Sequence, residues 1–231
     1  MFESKYSKVL TVILVIVLIA IIGLLGFLGY DFYRKYYLSQ EASEFVDNYM
    51  GDTNVGNQNE VAENTDTSNA DELLNQSNTN TSTSTSNNSG AKRKEKYKDF
   101  YMVGSISIPS VDINYPILEE MSTKALETSV VALYPPKGEN LNKPGNTVIV
   151  GHNYRNGLFF SNLKRVKIGD KVIIKDYTGV TKNYTVYEIT EKDQSDTSFY
   201  QRDTGGKAEV TLSTCTDASN NIRTIVFARE D

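Results

Sequence analysis

The chain of 231 residues contains one cysteine, one histidine and no tryptophan. A single cysteine excludes a disulfide within the chain, and one cysteine with one histidine excludes a structural zinc site of the usual Cys/His type. A lone free cysteine is most often a small buried apolar residue. Cys215 by itself therefore indicates no activity.

Basic residues are missing from one long stretch. Residues 41–90 hold nine acidic residues and no Lys or Arg, whereas the whole chain has a formal charge of −5. Subtracting those nine charges leaves about +4 on the rest of the chain, where bases and acids are interleaved. No basic patch of the kind that binds nucleic acid results, and no nucleic-acid partner is predicted.

A long apolar run occurs near the N-terminus. Residues 9–30 carry no charge, and a run of ~20 apolar residues is enough to cross a bilayer as a helix. A cleaved signal peptide is the alternative, but the run exceeds the usual apolar region and leads into residues 31–35 without a small-x-small cleavage site. We predict a cytoplasmic N-terminus at 1–8 and a transmembrane anchor at 9–30, with the following domain outside the cell.

The next segment is poor in large apolar residues. Residues 47–90 show neither a helical nor a strand period, and such a composition cannot bury enough surface to offset the entropy of ordering. We predict a flexible polar linker over 31–91, which is disordered. Residues 92–231 then form one extracellular domain, large enough for a single core without disulfides or metals.

Short runs rich in β-branched and aromatic residues begin after residue 102. Gly, Pro, Asn and Asp separate them, a pattern that predicts an all-β barrel or sandwich with short helices. Helices are expected at 122–128 and at 159–164, where apolar residues recur at helical spacing. The predicted strands are 104–108, 113–118, 130–133, 147–151, 171–176, 183–189, 209–214 and 223–229.

Three reactive residues fall at the ends of predicted strands: His152, Cys215 and Arg223. Each has an ordinary structural interpretation, such as a surface histidine or an arginine on an edge strand. Taken together they favour nucleophilic catalysis, because a cysteine needs a nearby base or cation to form its thiolate at neutral pH. The pattern predicts a site with Cys215 as the nucleophile.

The residues around this site resemble the sortase family. Thr211-Leu212-Ser213-Thr214-Cys215 followed by Arg223 looks like the TLxTC…R signature of sortases, and Val150-Gly151-His152-Asn153 resembles the family's histidine strand end. The segments 157–163 and 169–172 are similar to the turn, short helix and strand that follow the histidine, so the resemblance covers about 102–229.

The subclass features are mixed. His152-Asn153 and residues 212–216 look like class B sortases, whereas the Gly169-Asp170 turn looks like other classes. Class B enzymes also carry a long helix before the cysteine strand, for which residues 190–208 leave little room.

The resemblance implies an eight-stranded β-barrel that acts as a cysteine transpeptidase, a thiol-protease-like hydrolase when water competes. Its partners would be surface proteins bearing an LPxTG-like C-terminal sorting signal and a cell-wall precursor or pilin amine. Cys215 would form a thioester with the signal, His152 would transfer protons, and Arg223 would hold the peptide and its oxyanion. No cofactor or metal is implied.

The family resemblance also assigns residues 190–208 to a loop that walls the sorting-signal groove. The acids Asp193, Asp196 and Asp203 in this loop match no EF-hand spacing, which favours solvated loop acids over a calcium site.

Two other functions fit part of the sequence. An L,D-transpeptidase is also a β-rich wall enzyme with a catalytic cysteine, but its pattern places His-Gly shortly before the cysteine, where this chain has Leu212-Ser213-Thr214. A membrane-anchored, wall-spanning adhesin or binding module with an incidental cysteine is consistent with the anchor, the linker and the β domain. Alkylation of the native thiol separates that module from an enzyme, because a buried structural cysteine does not react.

Overall fold

The structure, a computed structural model, describes residues 5–51, 94–216 and 221–231. Two α-helices are present in these ranges, the long α1 (Lys5–Gly51) and the single turn α2 (Thr123–Leu126). The strands are β1 (Lys96–Tyr97), β2 (Phe100–Ile108), β3 (Ile113–Leu118), β4 (Val130–Tyr134), β5 (Gly145–Val150), β6 (Lys171–Asp176), β7 (Thr181–Asp193), β8 (Ala208–Cys215) and β9 (Ile222–Glu230).

Strands β2 to β9 form a closed barrel. Neighbours follow the order β2-β3-β4-β5-β8-β9-β7-β6, and β6 pairs back onto β2. The two-residue β1 only extends the edge of β2. At the closing seam Gly104 lies opposite Asp176, where an added Cβ would clash with the carbonyl oxygen of Lys175. The predicted eight-stranded barrel is confirmed, and Gly104 permits the close approach of β2 to β6 that closes it.

The barrel interior is filled by the inward-pointing residues of the strands. Val, Ile, Leu and Tyr side chains alternate with outward residues, as expected for strands with one buried face. Fully buried examples from six strands are Ile106, Ile117, Val172, Tyr184, Leu212 and Val226.

Helix α1 begins as a candidate membrane span. Leu10–Tyr30 has a mean hydropathy of 3.2 and none of it is buried, so by length and composition it can cross a membrane. The helix does not end there, and the linker predicted to start at residue 31 has to be corrected, because residues 31–51 are helical. Predicted linker residues 52–91 lie outside the described residues, as does the predicted domain start at residue 92.

The C-terminal part of α1 packs on the outside of the barrel. Ala42 and Val46 are buried there, and Leu38, Phe45 and Tyr49 pack against the same core. These five positions recur at three- and four-residue intervals, which places them on one face of the helix. Helix α1 therefore joins a candidate span and a docked segment, residues 38–49, without a break.

The second predicted helix is absent. Phe159 lies in an isolated β-bridge, residues 160–162 form a turn, and a 3₁₀ turn follows at Leu163–Arg165. Gly157 and Phe159 both have positive φ, at 90° and 51°, which interrupts any helix. The apolar residues of this segment are buried, as their spacing suggested, although they do not lie on a helix: Phe159, Phe160 and Leu163. The other predicted helix, at 122–128, is shortened to α2, whose N-cap is Ser122.

Candidate active site

His152, Cys215 and Arg223 line one cleft of about 350 Å³ at an edge of the barrel. Each comes from a different part of the sheet: Cys215 ends β8, Arg223 is the second residue of β9, and His152 follows β5 by two residues. Strand ends at one barrel edge hold side chains at fixed mutual distances. The three residues singled out from the sequence are thus brought together.

Cys215 and Arg223 face each other across an antiparallel pair. They are direct partners in the β8–β9 register, and Nη1 of Arg223 donates a hydrogen bond to Sγ of Cys215. Both side chains are half-buried. The β8–β9 register therefore places a permanent guanidinium charge directly against the sulfur.

The position of His152 is fixed by contacts of the residue before it. Strands β5 and β8 run parallel, and beyond their last pair the backbone N–H of Gly151 donates to the carbonyl of Ser213 at 3.2 Å. The buried hydroxyl of Thr214 donates in turn to the carbonyl of Gly151 at 2.7 Å. Two hydrogen bonds therefore tie the histidine segment to the residues immediately before Cys215.

Burial lowers the pKa of His152 below its usual value. The nearby carboxylate of Glu127 raises the pKa and the guanidinium of Arg223 lowers it, so desolvation and Arg223 together outweigh Glu127. The imidazole is therefore mainly neutral at neutral pH. A neutral imidazole can accept a proton from a nearby thiol.

Asn153 is hydrogen-bonded to the backbone of Cys215. Its side-chain Nδ2 donates to the carbonyl of Cys215 at 2.7 Å, and its Oδ1 accepts from the backbone N–H of Arg155 at 3.1 Å. The sequence placed Asn153 within a family motif and gave it no role. This hydrogen bond joins positions 62 residues apart, which no local pattern indicates.

One wall of the cleft is aromatic. Phe199 and Tyr200 belong to the 194–207 segment between β7 and β8, and both carbonyls accept hydrogen bonds from Nδ2 of Asn146, at 3.0 and 3.2 Å. Thr211 donates to Oδ1 of the same amide at 2.8 Å. A buried amide thus holds the wall to the barrel, a role that sequence reasoning missed.

The same segment is anchored at its far end by Arg202. The guanidinium lies 3.9 Å from the centre of the Phe227 ring, and Nη2 donates to the hydroxyl of Tyr187 at 2.9 Å. It also approaches Glu209, whose side chain is 1% exposed and whose charge is balanced mainly by Arg229. Residues 194–207 contain no helix, in agreement with the little room expected for one.

The acids of this segment cap turns. Asp193, Asp196 and Asp203 each accept a backbone N–H two residues further on, at 2.8–2.9 Å. The hydroxyls of Ser195 and Ser198, together with these backbone N–H groups, lower the pKa of Asp193 and, with Lys192, bring that of Asp196 to about 2. In the part of the chain that the structure describes, no group of three or more His, Cys, Asp or Glu residues is arranged to hold a metal ion.

Comparison with known proteins places this site in a family. The family model described as a sortase domain matches residues 106–231. Sortase A of Bacillus anthracis is 30% identical over 129 residues, which cover 55% of this chain and 58% of that protein. The chain spans between 52% and 58% of the three curated relatives it matches, all of them named Sortase A.

Solved structures agree. A lid mutant of sortase A from Corynebacterium diphtheriae is 32% identical with a TM-score of 0.52, and the alignment covers 58% of this chain and 72% of that one. Sortase C-1 from Actinomyces oris is 27% identical with a TM-score of 0.51, over 55% and 73% of the two chains. The family model matches more than half of the chain, and the barrel with the cleft at its edge is consistent with that match. This chain therefore belongs to the sortase family.

Proposed function

We propose that the chain is a membrane-anchored cysteine transpeptidase that cuts an LPxTG-like sorting signal and transfers the cut protein to an amine. The observation that carries the proposal is the convergence of Cys215, Arg223 and His152 on one cleft, with the guanidinium hydrogen-bonded to the sulfur. Family membership supports the same reaction class.

In the first half-reaction, the sulfur of Cys215 attacks the carbonyl carbon of the threonine in the signal. The neutral imidazole of His152 takes the thiol proton as the C–S bond forms and gives it to the leaving amine as the C–N bond breaks. The negative charge on the tetrahedral oxygen is stabilised by Arg223. The product is a thioester on Cys215.

In the second half-reaction, an amine attacks the thioester carbon. His152 accepts the proton that the amine loses and gives it to the sulfur of Cys215 as the C–S bond breaks, which restores the thiol and the neutral imidazole. An amide replaces the thioester, so no external energy source or redox partner is needed. A cell-wall precursor or a pilin supplies the amine, and water is the slower competitor.

We place the barrel on the outer face of the membrane, with residues 1–8 in the cytoplasm. The docked segment of α1 starts at Leu38, eight residues after the candidate span ends at Tyr30. At 1.5 Å per helical residue this is about 12 Å. The barrel is therefore held close to the bilayer, where newly exported proteins with a C-terminal signal emerge.

The test is a transpeptidation screen with the chain in detergent micelles. A peptide library built on LPxTG is mixed with an amine acceptor, and products are identified by mass spectrometry. We expect cleavage after the threonine and amide formation with the acceptor by the native chain, and neither by Cys215→Ala. Native Cys215 that resists alkylation, together with no product from any peptide, would favour the adhesin or binding module instead.

A further inference from the structure

A row of aromatic rings connects the docked segment of α1 to the imidazole of His152. The ring centres of Tyr115 and Phe159 are 5.4 Å apart, those of Phe159 and Tyr154 5.8 Å, and those of Tyr154 and His152 4.9 Å. Each separation lies in the range of favourable aromatic contact. The row thus links β3 to the catalytic cleft without a gap.

The inner end of the row is covered by α1. Tyr115 is only 2% exposed, and it lines a small cleft together with Ser39 of α1. Its neighbour Asn114 donates hydrogen bonds to Ser43 at 3.1 Å and to Asp47 at 2.9 Å, both on the helix. The docked segment therefore holds the strand that carries the first ring.

The middle of the row belongs to the loop that follows His152. Asn153 and Phe159 form a β-bridge, and the backbone N–H of Phe160 donates to the carbonyl of His152 at 3.1 Å. Phe159 has a positive φ, which residues other than glycine rarely adopt unless the surrounding packing holds them there. Phe159 is 6% exposed between Tyr115 and Tyr154, so the packing of its ring sets the path of the loop.

We propose that Tyr115, Phe159 and Tyr154 are positioning residues for His152, and that the docked segment of α1 completes this support. None of the three rings lines the catalytic cleft with Cys215, so they act through the imidazole. The membrane anchor and the active site are thereby parts of one packed unit. The effect on turnover rests on the proposed function, whereas the effect on the imidazole does not.

The single histidine makes the test direct, because a full-length chain labelled at histidine gives one imidazole signal, that of His152. The signal is recorded in micelles over a pH titration. In Tyr154→Ala we expect a shifted resonance and a pKa closer to its usual value, because a ring is lost and solvent enters. Tyr154→Phe keeps the ring and should keep both. Tyr154 is 44% exposed, so either variant is expected to fold.

The contribution of α1 is tested by Ala42→Lys, which places a charge in the buried docking face. Glu44→Lys introduces the same residue at an exposed position of the same helix and is the matched control. Ala42→Lys should shift the imidazole resonance in the same direction as Tyr154→Ala does. It should also lower kcat/KM by about 10- to 100-fold. Glu44→Lys should leave both the resonance and kcat/KM unchanged. If Ala42→Lys fails to fold, Asn114→Ala, which removes only the two hydrogen bonds to α1, should give a smaller shift in the same direction.

Glu127 and Arg223, the charged groups that act on His152, are unchanged in all these variants. A change in the titration therefore reports the packing of the imidazole. A wild-type resonance and pKa of His152 in Tyr154→Ala would overturn the proposal that the ring row positions the imidazole. The same result in folded Ala42→Lys and in Asn114→Ala would overturn the proposal that α1 contributes to this support. Failure of the wild-type chain to process any peptide would overturn the proposed function and leave this resonance test intact.

Discussion

We expect Arg223 to contribute more than a positive charge. One of the five N–H donors of its planar fork reaches the sulfur of Cys215 from the paired strand. Lysine keeps the charge but cannot donate two parallel hydrogen bonds. We expect Arg223→Lys to lower kcat/KM by ~10²–10³, the usual cost of losing one oxyanion donor, and Arg223→Ala by at least as much.

The measurement is kcat/KM of both variants on the same sorting peptide, with thermal melts to confirm that they fold. Recovery of most of the rate in Arg223→Lys would mean that a generic cation beside Cys215 is enough. Near-wild-type turnover in Arg223→Ala would remove Arg223 from the site.

The lowered pKa of His152 also makes stability depend on pH. The folded chain binds this proton less readily than the unfolded chain, whose histidine titrates near 6.5. Between the two pKa values the unfolded state holds more protons, so stability is full above pH 6.5 and falls as the pH drops towards the folded pKa. Denaturant melts near pH 8 and near pH 5 should show this loss in the wild-type chain and less of it in His152→Gln. An equal loss in both proteins would assign the effect to other groups.

At the scale of elements, the site depends on how β5 and β8 end. The hydroxyl of Thr214 caps the carbonyl of Gly151 in a buried position, directly between the histidine and cysteine segments. Thr214→Val leaves that carbonyl without its donor, which typically costs ~1–3 kcal/mol, and we expect turnover to fall with stability. Thr214→Ser retains the hydroxyl and should stay near the wild type in urea melts and in kcat/KM. Equal values for the two variants would show that the hydrogen bond is dispensable.

Local sequence pattern predicted those elements whose structure is decided locally. The predicted run 171–176 coincides with β6, and the predicted runs 209–214 and 223–229 are each one residue shorter at both ends than β8 and β9. The loop after His152 was not predictable in this way, because Phe159, which has a positive φ, packs against Tyr115 of the distant strand β3. Asn146 was missed for the same reason, since its partners lie 53 to 65 residues away.

The helical part of the predicted linker is a different kind of error. The signal was present, because Leu38, Ala42, Phe45, Val46 and Tyr49 recur at helical spacing before the polar tract begins. Their value as a docking face depends on a matching apolar surface on the barrel, supplied in part by Tyr97, whose ring centre is 5.0 Å from that of Phe45. That surface is assembled from strands far apart in the sequence.

At the scale of the whole molecule, the docked segment makes the domain larger than the sequence suggests. A fragment of residues 92–231 is still predicted to fold cooperatively, because the closed barrel has its own core. A fragment of residues 31–231 should be more stable, since it also buries Ala42, Val46 and part of Phe45. Burying a few such side chains contributes a few kcal/mol, or roughly 5–10 °C in Tm.

Thermal melts of the two fragments under the same conditions decide this. A third fragment, 31–231 with Ala42→Lys, is the control and should melt near the shorter one. Identical Tm values for the first two fragments would mean that α1 does not stabilise the barrel.

The central claim is that Cys215 carries the cut protein as a thioester, and intact-mass spectrometry of the full-length chain tests it most directly. The chain is mixed with a reactive sorting peptide in the absence of any amine acceptor and quenched in acid, and the adduct is then mapped by peptide digestion. We predict a mass increase equal to that of the peptide fragment ending at its threonine less one water, located on Cys215 and lost when an amine is added. Cys215→Ala should give no adduct. An adduct on another residue, or amide product formed by Cys215→Ala at the wild-type rate, would contradict the account.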